Sequence, residues 1–284
     1  MKIIVGKTSG FCFGVKNAVD KTQEQLDNNS EVFCLGELVH NKQVIEKLES
    51  KGAKFITDIE DAKNKVIIRA HGAEKRIYEF ANKNNIEIID LTCPKVYAIH
   101  KIAEKYVNEG YYIILVGQSN HPEVVATESF CGQNYTIIES IEDISKVMGN
   151  FEKAKKNKLL IIAQTTYSLE KFNKIVENIK LKIPNVEVKN TICNATRERQ
   201  EETVSLANRV NAMIIVGGEQ SSNTNKLYEL AKKYCKNSQI VETVKELDAK
   251  KLENCETVGI MAGASTPNES IEEIIKALKN LKNS

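Results

Sequence analysis

The chain of 284 residues carries 40 basic and 38 acidic side chains, a net charge of +2, and 42% hydrophobic residues. Length suggests about two domains of ordinary globular composition, and so even a charge balance argues against duplex nucleic acid as the main partner. No apolar run approaches the roughly 18 to 20 residues of a membrane span, so no membrane partner is expected. Seven cysteines without a CxxC pair do not make a disulfide framework or a zinc ribbon, and a cytoplasmic protein with reduced thiols is expected.

The opening Met1-Lys2-Ile3-Ile4-Val5-Gly6 is too short for a signal peptide and reads as a first strand. Cys12 follows in Gly10-Phe11-Cys12-Phe13-Gly14-Val15, then a helical pattern, the strand Val32–Leu35 and Gly36. The same order recurs around Cys93, with strand Ile113–Val116 and Gly117, and around Cys193, with strand Met213–Val216 and Gly217. Each glycine lies 24 residues past its cysteine. Four residues past the glycines stand His40, His121 and Ser221, and two further on stand Lys42, Glu123 and Asn223. A later strand is expected to end at His71, Thr165 and Ser265; the last two lie 48 residues past their glycines, and His71 lies 35 past its own. The extra length in the second repeat includes Lys153–Lys158, a solvated segment.

Each repeat thus reads strand, Cys, helix, strand, polar loop, helix, strand, polar loop. Helical spacing is clear over Val44–Leu48, Glu170–Ile179 and Lys226–Tyr234, and Pro94 suits a first helical position. The expected fold class is α/β: three pseudo-threefold-related α/β domains with parallel sheets, in a trefoil around one centre. The divisions fall at 1–93, 94–193 and 194–284, with the opening strand, 1–6, a candidate to complete the third domain. Ligands gather beyond the carboxyl ends of parallel strands, where all these polar residues lie.

Three thiolates at one centre suit a metal or cluster. A four-iron four-sulfur cluster with one iron lacking a protein ligand fits, as does a three-cysteine zinc site with an open position. Each cysteine precedes a helix, whose N-terminus favours thiolate. A cytosolic cysteine is more commonly a small buried hydrophobe, the reading given to Cys34, Cys131, Cys235 and Cys255. Three of the four histidines, His40, His71 and His121, fall in the polar loops, whereas His100 lies on a helix as a packing or surface residue. Glu123 is the only carboxylate at these aligned positions and the natural proton donor; its plainer role is a helix first-turn acid. Gly217-Gly218 followed by Ser221, Ser222 and Asn223, with Ser265 in a second loop, offers donors for a phosphate or diphosphate without magnesium.

These motifs, with Val39-His40-Asn41, Ala70-His71-Gly72, Thr92-Cys93-Pro94, His121-Pro122-Glu123-Val124, Gln164-Thr165-Thr166, Thr191–Thr196 and Ala262–Pro267, resemble the 4-hydroxy-3-methylbut-2-enyl diphosphate reductases of the non-mevalonate isoprenoid pathway. The resemblance runs through almost the whole chain. It implies one [4Fe-4S] cluster held by Cys12, Cys93 and Cys193 with one open iron. It implies a substrate diphosphate bound by His40, His71, Ser221, Ser222, Asn223 and Ser265, with His121 and Thr165 also lining the pocket. It assigns proton delivery to Glu123, helped by the Thr165 hydroxyl, and electrons to a reduced ferredoxin or flavodoxin. The products it implies are isopentenyl and dimethylallyl diphosphate. A quinolinate synthase, which also combines three related domains with a three-cysteine cluster, is the enzymatic alternative. An iron–sulfur redox sensor is the non-catalytic one.

Overall fold

The computed structural model describes residues 1–28 and 31–281. It contains three four-stranded sheets in which every neighbouring pair is parallel. Beginning at the chain start, β1 (Lys2–Val5) leads through Cys12 into helix α1 (Phe13–Asn28). The first sheet then takes β2 (Val32–Leu35), α2 (Lys42–Glu49), β3 (Ala53–Ile56), β4 (Lys65–Ile68), α3 (Lys75–Lys83) and β5 (Glu87–Asp90), in the order β3-β2-β4-β5. The second takes α4 (Pro94–Asn108), β6 (Tyr112–Val116), α5 (Pro122–Glu128), β7 (Tyr135–Ile138), α6 (Ile144–Lys153), β8 (Leu159–Ala163), α7 (Leu169–Lys182) and β9 (Glu187–Val188), ordered β7-β6-β8-β9. The third takes α8 (Asn194–Ala207), β10 (Ala212–Val216), α9 (Ser222–Tyr234), β11 (Ser238–Val241), β12 (Thr257–Ala262) and α10 (Asn268–Leu281). Its outer strand is β1, paired with β12 from Lys2 against Thr257 to Val5 against Ile260.

The α/β class with three similar parallel sheets is therefore present. Each sheet has one strand more than the sequence pattern implied: β3, β7 and β11, between the second helix of the repeat and the strand read as next. They are short and carry polar residues such as Lys54, Thr136 and Gln239, so their apolar signal is weak. The central strands are different. All five residues of β6, β8 and β10 are buried, because helices cover both faces of a parallel sheet and the strand reads as an unbroken apolar run.

The described residues divide into two compact units. One comprises Met1–Lys16, Val39–Lys47 and Asn194–Ser284, and holds the third sheet. The other comprises Asn17–Leu38 and Leu48–Cys193, and holds the first two sheets. The longer second repeat is explained by α6, where the first repeat has only a short turn at Ile59–Asp61. Ile161 of β8 is fully buried in a cluster with Phe172 and Ile175. Ile161→Ala is expected to cost about 2–5 kcal/mol through lost burial and a residual cavity. Urea unfolding followed by circular dichroism measures this; a midpoint equal to that of the parent would show that the strand is not part of a cooperative core.

Candidate active site

The turns beyond the carboxyl ends of the strands are built alike. The N–H groups of Gly36, Gly117 and Gly217 donate to Ile56, Ile138 and Val241, closing one ladder of each sheet. On the neighbouring strand, the carbonyls of Arg69, Gln164 and Gly263 accept from the N–H three residues on, in Gly72, Tyr167 and Thr266. The carbonyl just after each of those three residues is taken by a cysteine N–H. Cys93 donates to Ala70 at 3.0 Å, Cys193 to Thr165 at 3.1 Å and Cys12 to Ala264 at 3.0 Å.

This register corrects the spacing argument by one residue. The count of 48 aligned Thr165 with Ser265 and His71, but the hydrogen bonds align it with Ala264 and Ala70. Thr166 is the residue that matches His71 and Ser265. The interval from glycine to turn differs among the repeats, because the segments between them differ in length, and sheet pairing alone fixes the alignment. A second one-residue shift occurs at the other loop. His121 and Ser221 are N-caps of α5 and α9, but in the first repeat Asn41 caps α2, its Oδ1 accepting from Val44 N at 3.0 Å. His40 therefore precedes the cap, and Gln43 rather than Lys42 is the counterpart of Glu123 and Asn223.

In the unit with the first two sheets, Glu123 is 2% exposed, in the first turn of α5. Its Oε1 accepts from Thr165 N and its Oε2 from Thr165 Oγ1, both at 2.6 Å. Burial pushes its carboxyl up, the two bonds from Thr165 pull it down, and the balance leaves it at about 7. The His121 Nδ1 accepts from Glu123 N at 3.2 Å, which leaves Nε2 as the protonated nitrogen of the neutral ring. His71 and His121 meet edge to face with ring centroids 5.3 Å apart. His100 is a packing residue, stacked on Phe130 at 4.3 Å, and burial pushes its imidazole down to about 4.

In the other unit, the glycine-rich loop is shorter than the sequence pattern suggested: Ser222, Asn223 and Thr224 already form the first turn of α9, with Ser221 Oγ capping Thr224 N. Asn223 is 3% exposed, and among the described residues neither its Oδ1 nor its Nδ2 has a hydrogen-bond partner. A buried, unsatisfied carboxamide is costly, so a ligand that supplies both partners is the natural complement. The Thr224 hydroxyl is likewise buried and unpartnered; a Cβ on Gly263 would stand 2.2 Å from it. Thr224 closes the same Ser-Ser-Asn-Thr run, and that adjacency is its signal in the sequence. Ser265 Oγ donates to the His40 carbonyl at 3.1 Å.

Cys12, Cys93 and Cys193 are partly exposed, while Cys34, Cys131 and Cys235 are buried. Cys255 is the exception among the four structural cysteines: it is partly exposed, lying in the turn before β12. Burial pushes the thiols of Cys34 and Cys131 up to about 12. Cys12, Cys93 and Cys193 each stand at a helix start, and none of α1, α4 or α8 has an acid in its first turn. The Cys12 Sγ accepts from Val15 N at 3.5 Å. Soft sulfur donors at helix N-termini are a donor set that fits an iron–sulfur cluster.

Residues 3–279 match the family model of the LytB protein. The chain belongs to the LytB family. Among its LytB relatives, a protein of Caldanaerobacter subterraneus subsp. tengcongensis named 4-hydroxy-3-methylbut-2-enyl diphosphate reductase is 40% identical, over 99% of this chain and 98% of its own. One of the same name from Clostridioides difficile is 39% identical, over 99% of this chain and 100% of its own. The solved reductase structure from Plasmodium falciparum superposes with a TM-score of 0.91 at 31% identity, over 98% of this chain and 88% of that one. No described helix of this LytB protein is long and apolar enough to cross a membrane.

Glu123 is protonated below about pH 7 and ionised above it. Its value is raised from the ordinary 4.5, so the folded state binds a proton that the unfolded chain releases, and burying Glu123 costs stability progressively as pH rises from 4.5 to about 7. Thr165→Val removes a hydroxyl that stabilises the carboxylate, so the titration is expected to move higher. Infrared difference spectra of the carboxylic C=O band against pH test this; a midpoint that stays put or falls would contradict the assigned balance of forces.

Proposed function

We propose that this LytB protein is a 4-hydroxy-3-methylbut-2-enyl diphosphate reductase of the non-mevalonate isoprenoid pathway. The reaction takes two electrons and two protons, cleaves the allylic C–O bond, and yields water with isopentenyl and dimethylallyl diphosphate. A [4Fe-4S] cluster held by Cys12, Cys93 and Cys193, with one iron free of protein thiolate, would supply the electrons and a Lewis-acidic metal. The names and full-length similarity of the relatives support the reading, and the observation that carries it is the buried Glu123–Thr165 pair.

In this reading Asn223, Ser221, Ser222 and Ser265, with His40, His71 and His121, hold the diphosphate end. The unsatisfied Asn223 Nδ2 gains an acceptor from a diphosphate oxygen. Anchoring the remote diphosphate fixes the reacting end and turns binding energy into orientation. Glu123 is the proton source. At about 7 its carboxyl is half protonated near neutral pH, the condition under which a general acid works best. When it is protonated, the 2.6 Å contact to the Thr165 hydroxyl carries the proton outward, so Thr165 is the last donor of a two-residue relay. Reducing equivalents come from a ferredoxin or flavodoxin in a cytoplasmic setting that keeps thiols reduced.

Anaerobically reconstituted protein with reduced viologen is expected to consume the hydroxymethylbutenyl diphosphate and release both isomers. Formation of quinolinate from its precursors would instead select a synthase, and a spectroscopic cluster with neither activity would select a sensor. Cys193→Ser is expected to lower iron content and abolish turnover, whereas Cys255→Ser leaves both nearly unchanged. Glu123→Gln should keep the cluster and substrate binding but slow turnover about a hundredfold to ten-thousandfold. His40→Ala should chiefly weaken binding. Near-parental single-turnover rates in Glu123→Gln would remove the carboxylate from the proton path.

A further inference from the structure

One face of α8 reaches back to the segment that leads into Cys12. Arg199 and Glu202 lie three residues apart on that helix and so share a side. The Glu202 carboxylate accepts from Lys7 N at 2.7 Å through Oε1, and from Thr8 N at 2.8 Å and Thr8 Oγ1 at 2.6 Å through Oε2. Arg199 Nη2 donates to the Gly10 carbonyl at 2.7 Å, and Nη1 to the Ala195 carbonyl of its own helix at 3.0 Å. Residues 7, 8 and 10 of the approach to Cys12 are thereby tied to two adjacent side chains, and Cys12 N is tied to Ala264.

Arg199 is only 4% exposed. Burying a guanidinium costs several kcal/mol unless its donors are used, and a neutral residue would make a cheaper packing element. The carbonyls that take its Nη1 and Nη2 donors are neutral, and the guanidinium brings a full positive charge to the Gly10 carbonyl. That charge sits on the carbonyl two residues ahead of Cys12, where it favours any bound group that becomes more negative. Neither Arg199 nor Glu202 belongs to the Glu123–Thr165 site or to the diphosphate-binding set.

We propose that Arg199 is a positioning residue for Cys12, holding the 7–10 segment together with Glu202, and that its charge makes the iron–sulfur group bound through Cys12 easier to reduce. This rests on the cluster reading above.

Two readouts on anaerobically reconstituted full-length protein separate clamp from charge: iron release to bathophenanthroline, and midpoint potential by spectroelectrochemistry. Arg199→Gln is expected to release iron about tenfold faster or more, as loss of a charge-assisted hydrogen bond implies, and to be harder to reduce. Arg199→Lys keeps the charge but not the planar fork, so release accelerates while the potential stays near the parental value. Glu202→Gln accelerates release without lowering the potential. If Arg199→Gln does not fold, the other two variants decide, and parental release rates in both overturn the proposal. A parental protein that assembles a cluster, with variants unchanged in release and potential, overturns both the positioning role and the charge effect and leaves the cluster reading standing. A parental protein that assembles none overturns the cluster reading and this inference with it.

Discussion

The hydrogen bond from a cysteine N–H to a carbonyl two residues past the end of a sheet strand is the constraint on which the proposed centre depends. It occurs at Cys12, Cys93 and Cys193, at 3.0–3.1 Å, and each time the cysteine then opens a helix. The outer strand of a parallel sheet delivers the chain to the carboxyl edge, the bond pins it there, and the helix start turns an N-terminal dipole toward the sulfur. A thiol placed by main-chain geometry loses little further freedom on binding a metal, which is the preorganisation that a ligand set needs.

Thr165 shows how closely that framework and the acid chemistry are joined. Its carbonyl holds Cys193 N, while its N–H and hydroxyl hold the two oxygens of Glu123. One residue therefore links a proposed ligand to the proposed proton source. Because Glu123 is buried with two donors and, among the described residues, no ion pair at its oxygens, desolvation outweighs the hydrogen bonds and lifts the carboxyl from 4.5 to about 7. The third sheet presents different chemistry at the matching helix start: a neutral, unsatisfied Asn223 carboxamide beside a buried Thr224 hydroxyl. The same scaffold position thus carries an acid in one repeat and a neutral amide in another.

The sequence by itself determined the repeat, the α/β class and the residues worth inspecting. Cysteine, strand and glycine recur at fixed spacing, and the central strands are unbroken apolar runs, so both signals are local and survive without a structure. Short edge strands such as β3, with alternating Lys54 and Phe55, carry too little apolar signal to be legible in the sequence. Only the tertiary structure decided the register, because equal counts along a chain do not imply equal positions once intervening segments differ in length. Sheet pairing moved Thr165 one place against Ser265, and the side-chain bond from Val44 N gave the first-repeat cap to Asn41. It also decided burial, on which the Glu123 proton affinity depends, and it brought Arg199 and Glu202 to residues 7–10, more than 180 positions away in the chain. Contacts of that range leave no period or motif behind, since any residue of suitable chemistry at the right place in space will make them.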